Sequence, residues 1–358
     1  PNWRAMSNNT IYCDSYDHIA EGVWDGYAGN GEPYGFFNVM LSSKFGRTGE
    51  KAKENCEGTN PCGEISLADK ECCNLAELYL NNIESKQELI ECSKLLYKTQ
   101  KAICALPFIH DDTNKIVHKN FRIGQGVTGI CQGLHNKKLG WLDDCYKALK
   151  AFDQEWSKKQ GWPESIKLTT VKPSGTLSLL AGATPGVHPA YSQYYIRRVR
   201  MSSQDALVET CKGMGYHVEF VKNFDGTLNR DTVIVEFPCE SGDNAKLAKD
   251  MTAIDQLELV KRIQKEWSDN AVSCTVYYNK GELGNIKEWL RENYKNNIKS
   301  VSFLLHSEHG FLQAPYEEIS QENYQKLCAT IKKVTAVSVG NGQTIEGLEC
   351  EGGACPIR

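Results

Sequence analysis

The chain has 358 residues, with 41 Lys and Arg against 45 Asp and Glu, and a formal net charge of −4. Its hydrophobic fraction of 41% and charged fraction of 24% are typical of one large or two ordinary globular domains and exclude a disordered chain. The mild acidity argues against a nucleic-acid-binding face, and no apolar run reaches the roughly 18–20 residues of a membrane span. We therefore expect neither nucleic acid nor membrane as a partner.

Helical and strand-like stretches alternate along the chain, which predicts an α/β fold. Ser85 and Glu88 fit a capping box that opens a helix. The apolar spacing of this helix places one face inward: Leu89, Cys92, Leu96, Thr99 and Ile103. A second helix is predicted over residues 244–267, where apolar residues recur at steps of three and four. The predicted strands are residues 167–171, 232–237, 271–278 and 300–305.

The 15 cysteines are an odd number, and we expect mostly free thiols in a reducing compartment, the cytoplasm. No pair has the Cys-x-x-Cys spacing of a zinc ribbon, so the sequence predicts no metal site. Most of these cysteines are expected to be small buried side chains. Only those in unusual local sequence are candidates for chemistry.

The segment from Gly124 to Gly129 matches the dinucleotide fingerprint G-x-G-x-x-G, with Asp143 and Asp144 near the expected acidic position. Taken alone, this match would indicate a nicotinamide-dependent dehydrogenase. However, the fingerprint should follow a buried apolar strand, and polar residues 118–122 precede it here. The alternative is a helix that packs closely through its glycines.

Asn60, Pro61, Cys62, Gly63 and Glu64 form the first strong candidate site. Pro and Gly on either side of a cysteine predict a tight, exposed turn. Cys62 and Glu64 stand two positions apart and can face one substrate, with the Asn60 amide beside them. This arrangement suits a radical or nucleophilic cysteine with a general base, although a surface turn with an incidental cysteine is also consistent with it.

Two further motifs carry chemistry. After Lys172, the turn of Pro173, Ser174, Gly175 and Thr176 precedes an apolar helix and can bind phosphate through free N–H groups; a plain helix cap is the alternative.

In the tail, small flexible residues separate Cys350 from Cys355, which favours a shuttling dithiol over an incidental pair. The last stretch, residues 338–358, is predicted to be mobile.

Together these motifs resemble the catalytic subunit of ribonucleotide reductase. The resemblance spans residues 7–10, 31–36, 60–64, 122–129, 172–176 and the tail, in family order. The Asn-Pro order at residues 60–61, with residues 186–191 and 194–198, resembles the adenosylcobalamin-dependent triphosphate reductases. The implied fold is the C-terminal part of a ten-stranded α/β barrel with an inserted finger loop, and the implied helix motif at residues 122–129 would explain the dinucleotide match.

The resemblance also implies roles for individual residues. Cys62 would carry a thiyl radical, Glu64 would be the base, Asn60 would hydrogen-bond the sugar, and Cys73 would belong to the reducing pair. Adenosylcobalamin would be the cofactor, a ribonucleotide the substrate, and thioredoxin or a similar dithiol the reductant. A reductase-like binding module that has lost activity is a further alternative.

The chain starts at Pro1, and the first barrel strands of the family are expected ahead of residue 7. We therefore expect residues 1–334 to be a barrel portion that needs an N-terminal partner chain, followed by a flexible redox tail over residues 335–358.

Overall fold

The computed structural model describes residues 10–29, 31, 33–44, 46–48, 55–133, 137–223, 226–242, 245–305 and 313–332. The helices of this part are α1 (Glu21–Gly29), α2 (Val39–Ser42), α3 (Lys86–Cys104), α4 (Asp111–Asn120), α5 (Ile130–Gly133), α6 (Trp141–Gln160), α7 (Leu177–Leu180), α8 (Ala206–Gly213), α9 (Ala253–Glu266), α10 (Leu283–Asn297) and α11 (Gln321–Thr330). The strands are β1 (Thr10–Tyr12), β2 (Gly35–Phe37), β3 (Gly58–Thr59), β4 (Ser66–Leu67), β5 (Leu75–Tyr79), β6 (Gly124–Thr128), β7 (Tyr194–Ser202), β8 (Val218–Lys222), β9 (Leu228–Glu240), β10 (Thr275–Tyr278), β11 (Ser300–Leu305) and β12 (Tyr316–Glu318).

The chain divides into two compact units, and residues 8–190 with 243–307 form the larger one. In that unit β5 pairs with β6 in parallel, and the next neighbours are joined by the parallel bridges Gln125–Thr169 and Val171–Val272. Strand β10 then pairs with β11 in parallel. These connections make a run of parallel strands whose crossovers contain helices, as expected for an α/β barrel portion.

The direction of the strands reverses at one junction of the larger unit. Strand β11 pairs antiparallel with β2, and β2 pairs in parallel with β1. The junction is narrow, because a Cβ atom added to Gly35 would lie 2.2 Å from the Val301 carbonyl oxygen. Only glycine allows the two backbones to approach this closely. The larger unit therefore forms a half-barrel with strands running in both directions.

Helix α3 begins where predicted, with the Ser85 side chain accepting a hydrogen bond from the Glu88 N–H at 3.1 Å. The predicted capping box is incomplete, because the Glu88 carboxyl accepts from the Glu84 N–H at 2.7 Å rather than from the Ser85 N–H. The predicted face is correct only in part: Leu89 is buried and the partly buried Cys92 and Leu96 pack against the main core, but Ile103 is exposed. The buried face is Leu89, Ser93, Tyr97, Gln100, Lys101 and Cys104. Polar residues can face inward here because their groups are paired; Lys101 Nζ lies 3.0 Å from Asp153, and both side chains are buried.

The second predicted helix starts later than its apolar pattern. Helix α9 begins at Ala253, because Thr252 and Asp255 form a capping box there. At its far end, the buried Trp267 donates its ring N–H to the Thr170 carbonyl oxygen at 3.0 Å. This bond ties the end of α9 to the segment that underlies the candidate site.

The glycine-rich segment was also predicted wrongly, since Gly124–Thr128 is the fully buried strand β6 rather than a helix. Its glycines make room for neighbours: a Cβ atom on Gly124 would lie 2.6 Å from the Ile65 side chain, and one on Gly126 would lie 3.2 Å from the Glu77 carboxyl. A dinucleotide fingerprint needs its glycines at the turn between strand and helix. The dehydrogenase interpretation is therefore wrong.

The remaining strand predictions have mixed outcomes. Residues 300–305 are confirmed as β11, and residues 232–237 lie within β9. Of residues 271–278, only Thr275–Tyr278 form β10, while Val272 makes an isolated bridge. Residues 167–171 form isolated bridges at Thr169 and Val171.

Within the described chain, the smaller unit contains residues from 191–242 and 313–332. Its sheet is antiparallel, in the order β12, β7, β9, β8. Helix α8 contributes to a separate hydrophobic core with this sheet: Met201, Val208, Cys211, Val233 and Val235. Among the described residues of the whole chain, no helix combines the length and apolar character needed to span a bilayer.

Candidate active site

A short hairpin of β3 and β4 carries Asn60–Glu64 in the larger unit. The Asn60 N–H donates to the Ile65 carbonyl oxygen at 3.1 Å, and the Gly63 N–H donates to the Asn60 carbonyl oxygen at 3.0 Å. The second bond closes a tight turn with Pro61 and Cys62 at its centre. Gly63 follows with φ +74°, a conformation that favours glycine. The predicted turn is confirmed, and we call the hairpin of β3 and β4 that carries it the finger loop.

The tip of the hairpin is fastened to the strand segments beside it. The Ser273 hydroxyl donates to the Cys62 carbonyl oxygen at 2.7 Å, and the Ala271 N–H donates to the Glu64 carbonyl oxygen at 2.8 Å. The Thr170 hydroxyl donates to the same Glu64 oxygen at 3.2 Å. The backbone on both sides of Gly63 is therefore held in place.

Buried cations hold the base of the hairpin. The Ser66 hydroxyl oxygen accepts hydrogen bonds from Lys167 Nζ at 2.8 Å and from Arg122 Nη1 at 3.1 Å. Arg122 also pairs with Glu71 at 3.1 Å, and both side chains are buried. A buried pair of this kind costs desolvation but fixes geometry. It fixes both the hairpin and the chain that leads to Cys73.

Asn60 and Glu64 are buried, with exposed fractions of 7% and 2%, whereas Cys62 is half-buried. The prediction of an exposed turn therefore holds for its centre but not for its ends. Asn60 Oδ1 accepts from the Ile65 N–H at 3.0 Å, which orients the amide. Burial raises the pKa of the Glu64 carboxyl, while the Asn60 side-chain hydrogen bond and the Lys172 charge oppose the rise.

One carboxyl oxygen of Glu64, Oε2, is buried and has no hydrogen-bond partner among the described residues. A buried polar atom without a partner is costly and is commonly satisfied by a ligand or water. With its raised pKa, this carboxyl is suited to act as a general base on a bound substrate.

Cys72 and Cys73 follow Glu71 and are both exposed. Desolvation of the sulfur raises the pKa of the Cys73 thiol, and the Glu64 carboxylate raises it further, while Lys172 lowers it. Cys73 therefore lies within electrostatic reach of the base on the finger loop. The structure brings this predicted residue into the site.

Sequence reasoning missed Glu77, which lies on β5 opposite Gly126. Burial raises the pKa of Glu77 to about 7, opposed by a hydrogen bond from Ser174 and by the Lys172 charge, and the Glu64 carboxylate contributes to the rise. Glu77 belongs to the site because three distant segments of the chain meet there: strand β5, the hairpin with Glu64, and the turn with Ser174. Nothing in the local sequence around Glu77 marks it as a site residue.

The Pro173–Thr176 turn lies beside Glu77, and the Ser174 hydroxyl donates to Glu77 Oε2. Ser174 is 5% exposed and has φ +49°, an unusual backbone conformation for a residue with a side chain. Gly186 packs against the turn, since a Cβ atom there would lie 2.3 Å from the Lys172 carbonyl oxygen. The predicted helix that follows is the single turn α7, and the exposed Thr176 makes no side-chain cap bond. The plain helix-cap alternative is therefore wrong for Thr176.

His188 is buried next to this turn and has a structural role. Its Nδ1 lies 3.0 Å from the Pro185 carbonyl oxygen, and its Nε2 accepts from the Thr275 N–H at 2.9 Å. Burial lowers the pKa of the imidazole to about 4, so the ring is neutral near pH 7. Both ring nitrogens are engaged, which leaves none for catalysis.

An open cavity of about 560 Å³ borders the finger-loop turn. Its lining residues are Thr10, Tyr12, Thr59, Asn60 and Pro61. The volume is within the range of small-molecule sites. The predicted dithiol of Cys350 and Cys355, like the rest of the tail, lies outside the described residues.

The chain is similar to known proteins over most of its length. The family profile described as "Ribonucleotide reductase, barrel domain" matches residues 16–155 and 150–304. A relative from Dictyostelium discoideum, named a probable adenosylcobalamin-dependent ribonucleoside-triphosphate reductase, is 34% identical over 367 residues, which cover 98% of this chain and 47% of that protein. The adenosylcobalamin-dependent ribonucleoside-triphosphate reductase of Lactobacillus delbrueckii subsp. bulgaricus is 34% identical over 404 residues, with 99% and 53% coverage.

A solved structure is also similar. The crystal structure of a B12-dependent, class II ribonucleotide reductase matches with a TM-score of 0.77 and 32% identity, and the match covers 92% of this chain and 50% of that chain. The chain thus spans about half the length of the curated relatives it matches.

Proposed function

Because this chain belongs to the ribonucleotide reductase family, we propose that it carries the catalytic finger loop of an enzyme that reduces ribonucleotides to 2′-deoxyribonucleotides. The observation that supports this most directly is the hairpin tip. It presents the half-buried Cys62 between a buried amide, Asn60, and a buried carboxyl, Glu64, one oxygen of which has no hydrogen-bond partner in the described part of the chain.

In the proposed reaction, a thiyl radical on Cys62 takes the hydrogen atom from the ribose 3′-carbon. Glu64 accepts the proton of the 3′-hydroxyl group, for which its raised pKa suits it. The Asn60 amide, oriented by Ile65, hydrogen-bonds the sugar hydroxyls. The fastened turn keeps these groups in register, which is the condition for an efficient hydrogen transfer.

The 2′-hydroxyl group then leaves as water, and two thiols supply the two electrons and two protons as they become a disulfide. Cys73 is proposed as one of these thiols, since Glu64 acts on its pKa. Finally, Cys62 returns the hydrogen atom to the 3′-carbon and regains the radical, and Glu64 returns the proton to the 3′-oxygen. The balance is one ribonucleotide and one dithiol converted to one deoxyribonucleotide, one water and one disulfide.

The substrate phosphates are proposed to bind at Pro173, Ser174, Gly175 and Thr176. The left-handed Ser174 and the Lys172 charge support this role. A triphosphate is the proposed substrate form, because both curated relatives are named ribonucleoside-triphosphate reductases.

Adenosylcobalamin is the proposed cofactor, after the names of the same relatives. When bound, it would supply the oxidising equivalent that turns the Cys62 thiol into a thiyl radical. We propose that the cavity beside the turn would hold the nucleoside part of this cofactor. It would offer the Tyr12 ring for stacking and the Thr59 hydroxyl for a hydrogen bond.

We further propose that residues 1–334 act with the other half of the enzyme, which would provide the second cysteine of the reducing pair. Residues 335–358 would be a redox tail in which Cys350 and Cys355 carry electrons from thioredoxin or a similar dithiol. A cytoplasmic location would keep this dithiol reduced.

The test is an assay for deoxyribonucleotide formation by the complete enzyme. Ribonucleoside triphosphates, adenosylcobalamin and a small dithiol should together give product, and omission of the cofactor or the dithiol should abolish it. Absence of product under all conditions, with intact nucleotide binding, would instead support the alternative of a non-catalytic binding module.

A further inference from the structure

Glu77 interacts with two parts of the site that the proposed reaction does not connect: the hairpin with Glu64 and the turn with Ser174. It lies on β5, four residues after Cys73, and its Oε2 atom accepts the hydrogen bond of the Ser174 hydroxyl. Ser174 is buried and holds a left-handed backbone conformation. Such a conformation persists only where the surroundings fix it, and Glu77 is one of the groups that fix it.

The second carboxyl oxygen, Oε1, is enclosed. It is buried and has no hydrogen-bond partner among the described residues. The opposite residue on β6, Gly126, leaves only enough room for the carboxyl, since a Cβ atom there would lie 3.2 Å from Oε1. The carboxyl is therefore confined between β6 and the phosphate turn.

The charges around Glu77 come from several elements. Lys172, at the start of the turn, favours its ionised form, and Glu64, on the finger loop, opposes it. Tyr79 is the neighbouring titratable group on β5 itself, and its pKa is raised by burial and then by Glu77. Strand β6 faces the carboxyl with Gly126, which carries no charge. With burial as the largest effect, the pKa of Glu77 is about 7.

We propose that Glu77 is a positioning residue that holds the phosphate turn and takes up a proton from solvent when a nucleotide phosphate binds there. This inference rests on the proposed phosphate role of Pro173–Thr176. An added phosphate charge repels the Glu77 carboxylate and favours its protonated form. Protonation removes the Glu77 charge that interacts with the Lys172 charge, and the lysine charge then acts on the phosphate alone.

The expected effect is measurable near neutral pH. With a pKa of about 7, Glu77 is about half ionised at pH 7, so binding should take up at most about half a proton there and more at pH 8. Since the ionised form must be protonated first, the affinity of the parent enzyme should fall by up to about tenfold between pH 6 and pH 8, through this group alone.

The experiment is titration calorimetry of CTP binding to the complete enzyme, without adenosylcobalamin or reductant, in buffers of different ionisation enthalpy. The terminal phosphate of CTP itself titrates near pH 6–7, so the informative quantity is the difference between variants. Glu77→Gln keeps a group that can accept the Ser174 hydrogen bond but cannot take up the proton. Glu84→Gln removes an exposed carboxylate at the end of the same segment and is the matched control.

We expect proton uptake in the parent and in Glu84→Gln to exceed that in Glu77→Gln by about 0.3–0.5 proton at pH 7. Equal uptake in the parent and Glu77→Gln, with CTP bound by both, would overturn the Glu77 proposal alone. No saturable CTP binding in any variant would instead contradict the proposed function, and the Glu77 proposal with it.

A second variant keeps the proposal testable if Glu77→Gln does not fold. Ser174→Ala removes a hydrogen bond that lowers the pKa of Glu77. The midpoint of the proton-uptake curve should then move to higher pH. An unchanged midpoint in Ser174→Ala would overturn the proposal.

Discussion

The Ser273 hydroxyl lies 2.7 Å from the Cys62 carbonyl oxygen and donates a hydrogen bond to it. This bond joins the centre of the finger-loop turn to the segment that leads into β10. The neighbouring Ala271 N–H holds the Glu64 carbonyl oxygen from the same segment. The position of the candidate radical cysteine is thus set by a chain segment more than 200 residues away.

Replacing Ser273 with Ala should lower turnover about tenfold, a barrier change of about 1.4 kcal/mol, with little change in the KM of the substrate. The lost bond orients Cys62 but does not touch the substrate phosphates. Ser273→Thr retains the hydroxyl and should restore turnover. Steady-state kinetics and thermal unfolding of both variants check this; equal turnover in Ser273→Ala and the parent would show that the bond does not position Cys62.

The neighbouring cysteines Cys72 and Cys73 provide an internal comparison. Cys73→Ser should reduce deoxyribonucleotide formation at least about 100-fold, because the dithiol would lose one sulfur, whereas Cys72→Ser should stay within about threefold of the parent. Both residues are exposed, so neither change should affect folding. Assays with a small dithiol reductant measure this. A loss of activity in Cys72→Ser, with Cys73→Ser active, would reverse the assignment.

Gly186 and Gly182 both have positive φ, of 54° and 60°, but differ in their surroundings. A Cβ atom on Gly186 would meet the Lys172 carbonyl oxygen at 2.3 Å, whereas one on Gly182 would meet nothing within 4 Å. Gly186→Ala should therefore displace the phosphate turn and weaken CTP binding at least about tenfold, or about 1.4 kcal/mol. Gly182→Ala introduces the same backbone strain without the steric clash, and its affinity for CTP should be close to that of the parent.

The affinity of Gly186→Ala and of Gly182→Ala for CTP is measured by calorimetry, and thermal unfolding midpoints show whether each variant is folded. Similar CTP affinities in the two alanine variants would remove the reason to place the phosphates at this turn.

The tail prediction concerns residues outside the described part of the chain. A double Cys350→Ser, Cys355→Ser variant should lose turnover with thioredoxin but keep it with a small dithiol that diffuses to the site. Thiol–disulfide exchange requires direct contact between sulfur atoms, which a tethered dithiol would provide. Full thioredoxin-driven turnover in the double variant would exclude the tail as the shuttle.

Much of the local structure could be predicted because its signals are local. The finger-loop turn follows from Pro61 and Gly63, and the start of α3 follows from Ser85 and Glu88. The resemblance to the reductase family and its α/β barrel is confirmed by the family profile and the class II structure.

The errors occurred where distant residues determine the outcome. Strand β6 has no alternating apolar pattern that would predict a strand. Its glycines are required because side chains from other segments, including Ile65 and Glu77, lie where a Cβ atom would be. The later part of the α3 face was predicted wrongly because Lys101 is buried by its partner Asp153, 52 residues away. Glu77 was missed for the same reason, because its neighbours Glu64, Lys172 and Ser174 come from two other parts of the chain.

The most direct test of the proposed radical role is the turnover of Cys62→Ser beside Cys92→Ser. Cys92 is also half-buried but lies on α3, away from the finger loop. With adenosylcobalamin, a ribonucleoside triphosphate and a small dithiol, Cys62→Ser should lose at least about 1,000-fold in deoxyribonucleotide formation, or about 4 kcal/mol, while remaining folded and able to bind CTP. Cys92→Ser should retain parent activity. Turnover of Cys62→Ser within about tenfold of the parent would contradict the assignment of the radical to Cys62.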